Sequence, residues 1–163
     1  MHLPKIAPIP TNSPTSRHDE PEQSPGLLLW RVTLSWQREV RAALAPHGLT
    51  HVQFVLLASA WWLGEHGTSP TQTQLALHAE TDAMMTSQVV RRLELEKLLA
   101  RRPDPGDSRA RLVTITKTGR ALLARALPDV EAVDQRYFAP LGRHSKAFTA
   151  GLKALAADRR ELG

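Results

Sequence analysis

Gln88 and Arg92 stand one helical turn apart in the stretch "DAMMTSQVVRRLELEK" (residues 82–97), with Ser87 and Arg91 as a parallel pair beside them. These are side chains that read a hydrogen-bonding edge. Glutamine offers a donor and an acceptor together, arginine a planar fork of donors, and serine a small hydroxyl. On DNA, Arg and Gln address base edges in the major groove, while hydroxyls reach phosphates or bases. A second group follows in "DPGDSRARLVTIT" (104–116), where Asp107 and Arg109 flank Ser108 and Arg111 lies two residues on. An arginine projecting from a turn suits a narrow, electronegative minor groove. An acid two residues earlier is placed to steady its guanidinium by a charge-assisted bond. Arg111 reaches either a phosphate or solvent. Each group also has a plainer reading. Arg91 and Arg92 can be solvated or paired with Glu94 or Glu96, and Asp107 with Arg109 can be a surface ion pair worth about 0–1 kcal/mol.

Covalent and metal chemistry find little support. The chain has no cysteine, and it shows no phosphate loop, His-Glu metal motif or elbow serine. His47 and His51 have i, i+4 spacing, but Pro46 and Gly48 break the helix before Thr50 opens a new one, so a metal pair is not expected there. The residues point to a binding protein, not an enzyme, with neither cofactor nor metal.

The elements that must position these groups follow from periodicity. Leu27, Trp30, Leu34, Val40 and Leu44 share one face of a helix that Pro46-His47-Gly48 ends. Thr50 with Gln53 is a capping box opening a second helix, with Val52, Val55, Leu56, Ser59 and Leu63 on one side. A short helix starts at Ser69-Pro70 or Thr71, with Gln72 or Gln74 three positions on, and ends near His78. After a turn at 79–81, a helix covers about 82–97. Ala83, Thr86, Val89, Val90, Leu93 and Lys97 fall on its core side. Met84, Met85, Gln88, Arg91, Arg92 and Leu95 fall on its free side, with Ser87 on the edge. Two strands, about 99–103 and 110–116, are joined by the Pro105-Gly106 turn. Thr116 then caps a helix to about Phe138, bent at Pro128, and a last helix covers about 145–160. The predicted fold is mainly α with a small β-hairpin: a winged helix-turn-helix at 49–116, flanked by helices at 26–48 and 117–163.

Net charge is +5, from 21 Lys and Arg against 16 Asp and Glu, without a polybasic stripe. A nucleic-acid partner would therefore be held by a few well-placed arginines. No apolar run approaches the ~18 residues of a membrane helix, and the start lacks the basic-then-apolar order of a secretory leader. A cytoplasmic protein without a membrane partner is expected. Residues 1–25 carry six of the twelve prolines and read as a disordered Pro-rich arm. Residues 26–163 read as one domain.

The stretches "LTHVQFVLLA" (49–58), "TQTQLALHAETDAMMTSQVVRRLE" (71–94), "DPGDSRARLVTITKTGRALL" (104–123) and "ALPDVEAVDQRYFAPLG" (126–142) together resemble the MarR-type transcriptional regulators. The resemblance covers about residues 27–155. It implies a homodimer that binds pseudo-palindromic double-stranded DNA, often as a repressor, and is released by a small aromatic or phenolic effector. It implies that Ser87, Gln88 and Arg92 are recognition-helix contacts, that Arg109 is the wing-tip arginine and that Asp107 is its partner. It implies a dimer built from the first, fifth and sixth helices (26–48 and 117–163), for which Leu27 to Leu29, Val130, Val133, Tyr137, Phe138, Leu141, Phe148, Leu152 and Leu155 supply apolar surface. Trp30, Trp36, His51 and Trp62, with Trp61, lie in the helices that would line the effector pocket. Packing is the plainer role for large aromatics. The alternative function is a winged-helix protein-interaction module. Two departures stand out. Lys97 occupies the position where the family has the glycine of Leu-Glu-x-x-Gly, and lysine poorly tolerates a left-handed helix cap. The cysteine of peroxide-sensing members is also missing.

Overall fold

The structure, a computed structural model, describes residues 16–107 and 109–161, with side chains described as far as 157. The helices are α1 (Pro25–Leu44), α2 (His51–Glu65), α3 (Gln72–Ala79), α4 (Ala83–Leu95), α5 (Lys117–Phe138) and α6 (Ser145–Glu161). The strands β1 (Leu99–Pro103) and β2 (Arg111–Ile115) pair antiparallel, with Arg101 opposite Val113. The expected class, helical with one hairpin, is the one observed.

Contacts divide the described residues into two units, one ending at Leu34 and the other beginning at Ser35. Of the expected Pro-rich arm, residues 1–15 lie outside the described residues. Pro21–Gln23 form a single 3-10 turn. The Ser24 hydroxyl accepts the Leu27 N–H at 3.3 Å at the entrance to α1, and Glu22 pairs with Arg31 at 3.1 Å. Leu28, Leu29 and Trp30 are exposed.

In the second unit α2 is the central element. It packs against α3, α4, β2 and α5. The expected capping box forms: Thr50 Oγ1 accepts from the Gln53 N–H and Gln53 Oε1 from the Thr50 N–H. The expected one-sided face does not. Gln53, Phe54, Leu56, Leu57, Ser59 and Ala60 are all buried, because neighbours surround the body of the helix, and exposed residues appear only at its end, at Trp62, Gly64 and Glu65. Val40, Leu44, Leu75, Val90, Leu93, Leu99, Val113, Leu123 and Ala126 complete the core. Val130 and Val133, expected at a dimer surface, are buried in this same core.

The cap of α3 resolves to Thr71, whose hydroxyl accepts from Gln74 N–H while Gln74 returns the bond. The reason is tertiary. The Val113 N–H donates to the Pro70 carbonyl at 2.8 Å and Thr71 bridges Leu112, so the residues before α3 pair with the wing. The turn into α4 passes through Glu80 at φ 52°. It is secured by buried Thr86, whose hydroxyl donates to the Asp82 carbonyl and meets the Thr81 hydroxyl at 2.7 Å. Thr116 caps α5 as expected, accepting from the Gly119 N–H at 3.0 Å. The helix runs on through Pro128 to Phe138.

Candidate nucleic-acid interface

Asp82 caps α4, accepting the Met85 N–H at 2.7 Å. The helix turns its buried stripe, Thr86, Val90 and Leu93, onto the core. Ala83 and Lys97, expected on the core side, are exposed instead. Ala83 stands at the first helical position, ahead of the buried stripe, and Lys97 lies beyond the helix end. Met84, Met85, Gln88, Arg91, Arg92 and Leu95 are exposed and Ser87 is half-buried, so the free face is as expected. Arg92 Nε donates to Glu96 Oε1 at 2.6 Å across one turn, as the plainer reading of this arginine has it, in an exposed pair of the kind worth about 0–1 kcal/mol.

The helix ends in a Schellman motif. The Leu98 N–H donates to the Leu93 carbonyl at 2.8 Å and the Lys97 N–H to the Glu94 carbonyl at 2.9 Å. Lys97 takes the left-handed conformation, φ 60°, that this motif requires. The helix-to-wing join therefore keeps the geometry a glycine would give, with a lysine in it. From there Arg101 on β1 reaches back to Glu94, donating through Nε at 2.9 Å and Nη2 at 2.5 Å. The side-chain hydrogen bonds from Arg101 lower the Glu94 pKa, with burial opposing them and the Arg101 charge adding to them. This brace between α4 and β1 joins residues with no local signal of partnership.

At the wing tip the expectation for Asp107 needs correction. Its carboxylate accepts the backbone N–H of Arg109 at 2.9 Å rather than gripping the guanidinium. Asp104 does the same for the Gly106 N–H at 2.8 Å. Two aspartates thus make Asx-type turns, because a backbone N–H two residues on is the nearest donor to a short acidic side chain. Arg109 is held by its backbone, and its side chain is exposed, as is that of Arg111 at the start of β2.

Behind the interface, Thr116 joins α5 to the end of α4. Its hydroxyl lies 2.7 Å from the Lys97 carbonyl and 3.2 Å from that of Leu98, and its N–H donates to the Leu98 carbonyl at 3.0 Å. Gly119 packs directly on that carbonyl. One turn further, Arg120 pairs with Glu65 of α2 at 2.7 Å. Trp61, Arg120, Leu123, Ala124 and Leu127 line a largely apolar cavity of about 250 Å³.

Of the expected effector-pocket residues, Trp61 lines this cavity and Trp30, Trp36, His51 and Trp62 do not. Trp36 and His51 meet edge to face at 5.2 Å, and the Trp36 Nε1–H donates to Asp134 at 2.7 Å. Burial, then the charge of Arg41, lowers the His51 pKa, with Asp134 opposing. Trp62 is exposed and stacks on His66 at 3.8 Å. It lies eleven residues along α2 from His51, about 16 Å. Trp30 is 63% exposed within the first unit. Arg120 and the cavity were missed because their partners are distant in sequence. His47, weighed as a metal ligand, bonds Asp129 at 2.7 Å.

The MarR family profile matches residues 49–110, the span of α2, α3, α4 and most of the wing. YdcH of Bacillus subtilis strain 168, named an uncharacterized HTH-type transcriptional regulator, is 44% identical over 140 residues, 86% of this chain and 95% of that protein. Rv2887 of Mycobacterium tuberculosis H37Rv, named an HTH-type transcriptional repressor, is 34% identical over 134 residues, 82% of this chain and 94% of its own. Its crystal structure in complex with salicylic acid superposes with a TM-score of 0.62 over 81% of this chain and 96% of that one. CouR of Rhodococcus jostii RHA1 bound to p-coumaroyl-CoA, 28% identical, gives 0.75 over 85% and 96%. CouR bound to a 23-mer DNA duplex, 26% identical, gives 0.74 over 88% and 99%. The chain belongs to the MarR family of helix-turn-helix transcriptional regulators.

Proposed function

We infer that this chain is a homodimeric repressor that binds a pseudo-palindromic operator in double-stranded DNA. In this reading α4 enters the major groove with Ser87, Gln88, Arg91 and Arg92. Arg109 enters the flanking minor groove, with Asp107 setting the turn and Arg111 reaching a phosphate. The first and last helices form the dimer, which spaces the two recognition helices by about 34–36 Å. The observation that carries the reading is the exposed Gln and Arg face of α4, braced by Glu94 and Arg101 to a wing that exposes Arg109. Exposed Leu28, Leu29, Leu152 and Leu155 support the dimer.

The effector in this reading is a small aromatic carboxylate seated beside Trp61, with Arg120 exchanging Glu65 for the ligand's carboxylate. The cavity is smaller than the roughly 300–1,000 Å³ of sites for drug-sized ligands, which favours a single ring. Arg120 lies one turn beyond Thr116, so a shift there is transmitted to the end of α4. The salicylic acid complex of Rv2887 supports the ligand class.

The test is binding to duplexes selected from a randomised pool, measured across salt concentrations. Arg92→Ala and Arg109→Ala should each weaken binding by more than about 1 kcal/mol, and Arg109→Ala should flatten the salt dependence. Affinity unchanged in both variants refutes the groove and wing assignments. Salicylate should raise the melting temperature of the wild type, and of Arg120→Ala much less.

A further inference from the structure

Met84, Gln88, Arg91 and Leu95 are spaced by four, three and four residues along α4. At about 100° per residue they form one stripe roughly 60° wide. Its ends are apolar, and they are among the most exposed large apolar side chains described: Met84 at 73% and Leu95 at 78%. A scattered exposed apolar side chain needs no explanation. Met84, however, stands in the first turn of the helix that would enter the groove, the part that meets base edges in this architecture.

The surroundings of Met84 narrow what it can meet there. The first turn offers no cation: Ala83, Met84 and Met85 follow Asp82, with Glu80 just before. The Asp82 carboxylate already occupies the Met85 N–H at 2.7 Å, an amide that would otherwise be open to a phosphate. The end is acidic and capped, so it is poorly made for the DNA backbone. Of the groups that a base pair presents in the major groove, one is apolar, the C5-methyl of thymine. A flexible thioether adapts well to such a small apolar target.

We propose that Met84 reads thymine by packing on its C5-methyl group. The thymine lies one to two base pairs from the base addressed by Gln88. Four residues of helix rise about 6 Å, against about 3.4 Å per base step, which sets that offset. Met85 lies about 100° round the helix from Met84 and is less exposed, at 41%, so the assignment falls on Met84. The proposal rests on the DNA-binding reading above and adds a specificity-determining residue to it.

Removing one contacted methyl should weaken binding about fourfold. The experiment takes a duplex selected by the wild-type protein from a randomised pool and replaces its thymines one at a time with deoxyuridine, which lacks only the methyl. One replacement per half-site should weaken wild-type binding about fourfold. Met84→Ala should bind the two duplexes equally, and Met84→Leu should restore the preference. Arg109→Ala should bind both more weakly while keeping their ratio. Circular dichroism confirms the fold of each variant. If no replacement changes wild-type affinity, or if Met84→Ala keeps the wild-type ratio, the proposal is overturned while DNA binding stands. If the wild type selects no duplex at all, the DNA-binding reading falls, and the assignment of Met84 with it.

Discussion

Replacing Lys97 with glycine should stabilise the protein. Lys97 sits at φ 60°, where an L side chain crowds its own carbonyl at a cost of about 1–2 kcal/mol. Glycine removes that crowding but adds freedom to the unfolded chain, which offsets about 0.5–1 kcal/mol. The side chain is exposed, so no packing is lost. The net gain is about 0.5–1 kcal/mol, or about 1–4 °C in melting temperature for a chain of this size. Urea unfolding at fixed protein concentration gives the measurement, since the apparent stability of the proposed dimer depends on concentration. The midpoint should rise at unchanged m-value. Lys97→Ala separates backbone from side chain. Alanine keeps the crowded conformation, so this variant should stay within about 0.5 kcal/mol of the wild type. A Lys97→Gly variant no more stable than the wild type would refute the strain argument. So would a Lys97→Ala variant that gains as much as Lys97→Gly, because the lysine side chain would then be the source.

Gly119→Ala should act in the opposite direction. A Cβ there would run into the Leu98 carbonyl group, 2.9 Å from its carbon, and should cost about 3 kcal/mol. Gly151→Ala, with open space around it inside α6, should instead gain about 0.5–1 kcal/mol. Equal melting temperatures for the two variants would contradict the packing of α5 on the end of α4. His51 predicts a pH dependence. Its folded pKa is lowered by burial and Arg41, so the fold accommodates the neutral ring. Stability is fully present above the unfolded value of about 6.5, falls as pH drops through the lower folded value, and then levels off. His51→Phe should flatten the denaturation midpoint between pH 7 and 5, and an unchanged slope would refute the assignment.

What could be read from the sequence was what is local. The Thr50 and Gln53 box, the Thr116 cap and the Pro105-Gly106 turn each depend on residues within four positions, and each formed as read. The free face of α4 was legible because one side of that helix meets the core and the other meets none of it. Where the deciding partner lay far along the chain, local reading left alternatives or erred. Thr71 prevailed over Ser69 as a cap because Pro70 and Thr71 pair with Leu112 and Val113, about forty residues on. For α2, the one-sided face read from periodicity did not hold, and it had not separated Trp61 from Trp62. Adjacent Trp61 and Trp62 therefore looked equivalent, yet Trp61 lines the cavity while Trp62 faces out. The cavity's cation, Arg120, is tied to Glu65 across 55 residues.

Asp107 and Lys97 show two different failures of local inference, and both bear on how the wing is aimed. For Asp107 the residue type was read correctly, but its strongest local partner, the Arg109 backbone N–H, was overlooked in favour of the opposite charge. The aspartate therefore orients the chain that carries the arginine, and leaves the guanidinium to the solvent or to an anion. For Lys97 the residue type argued against the left-handed cap, and the cap formed regardless. The Schellman bonds to Leu93 and Glu94, the burial of Leu98 and the Thr116 hydroxyl on the Lys97 carbonyl together outweigh a penalty of about 1–2 kcal/mol. Those contacts set the direction in which β1 leaves α4, and the Glu94–Arg101 pair fastens it. The wing's aim is thus determined by backbone bonding at the join, which a glycine or a lysine can occupy, at different cost.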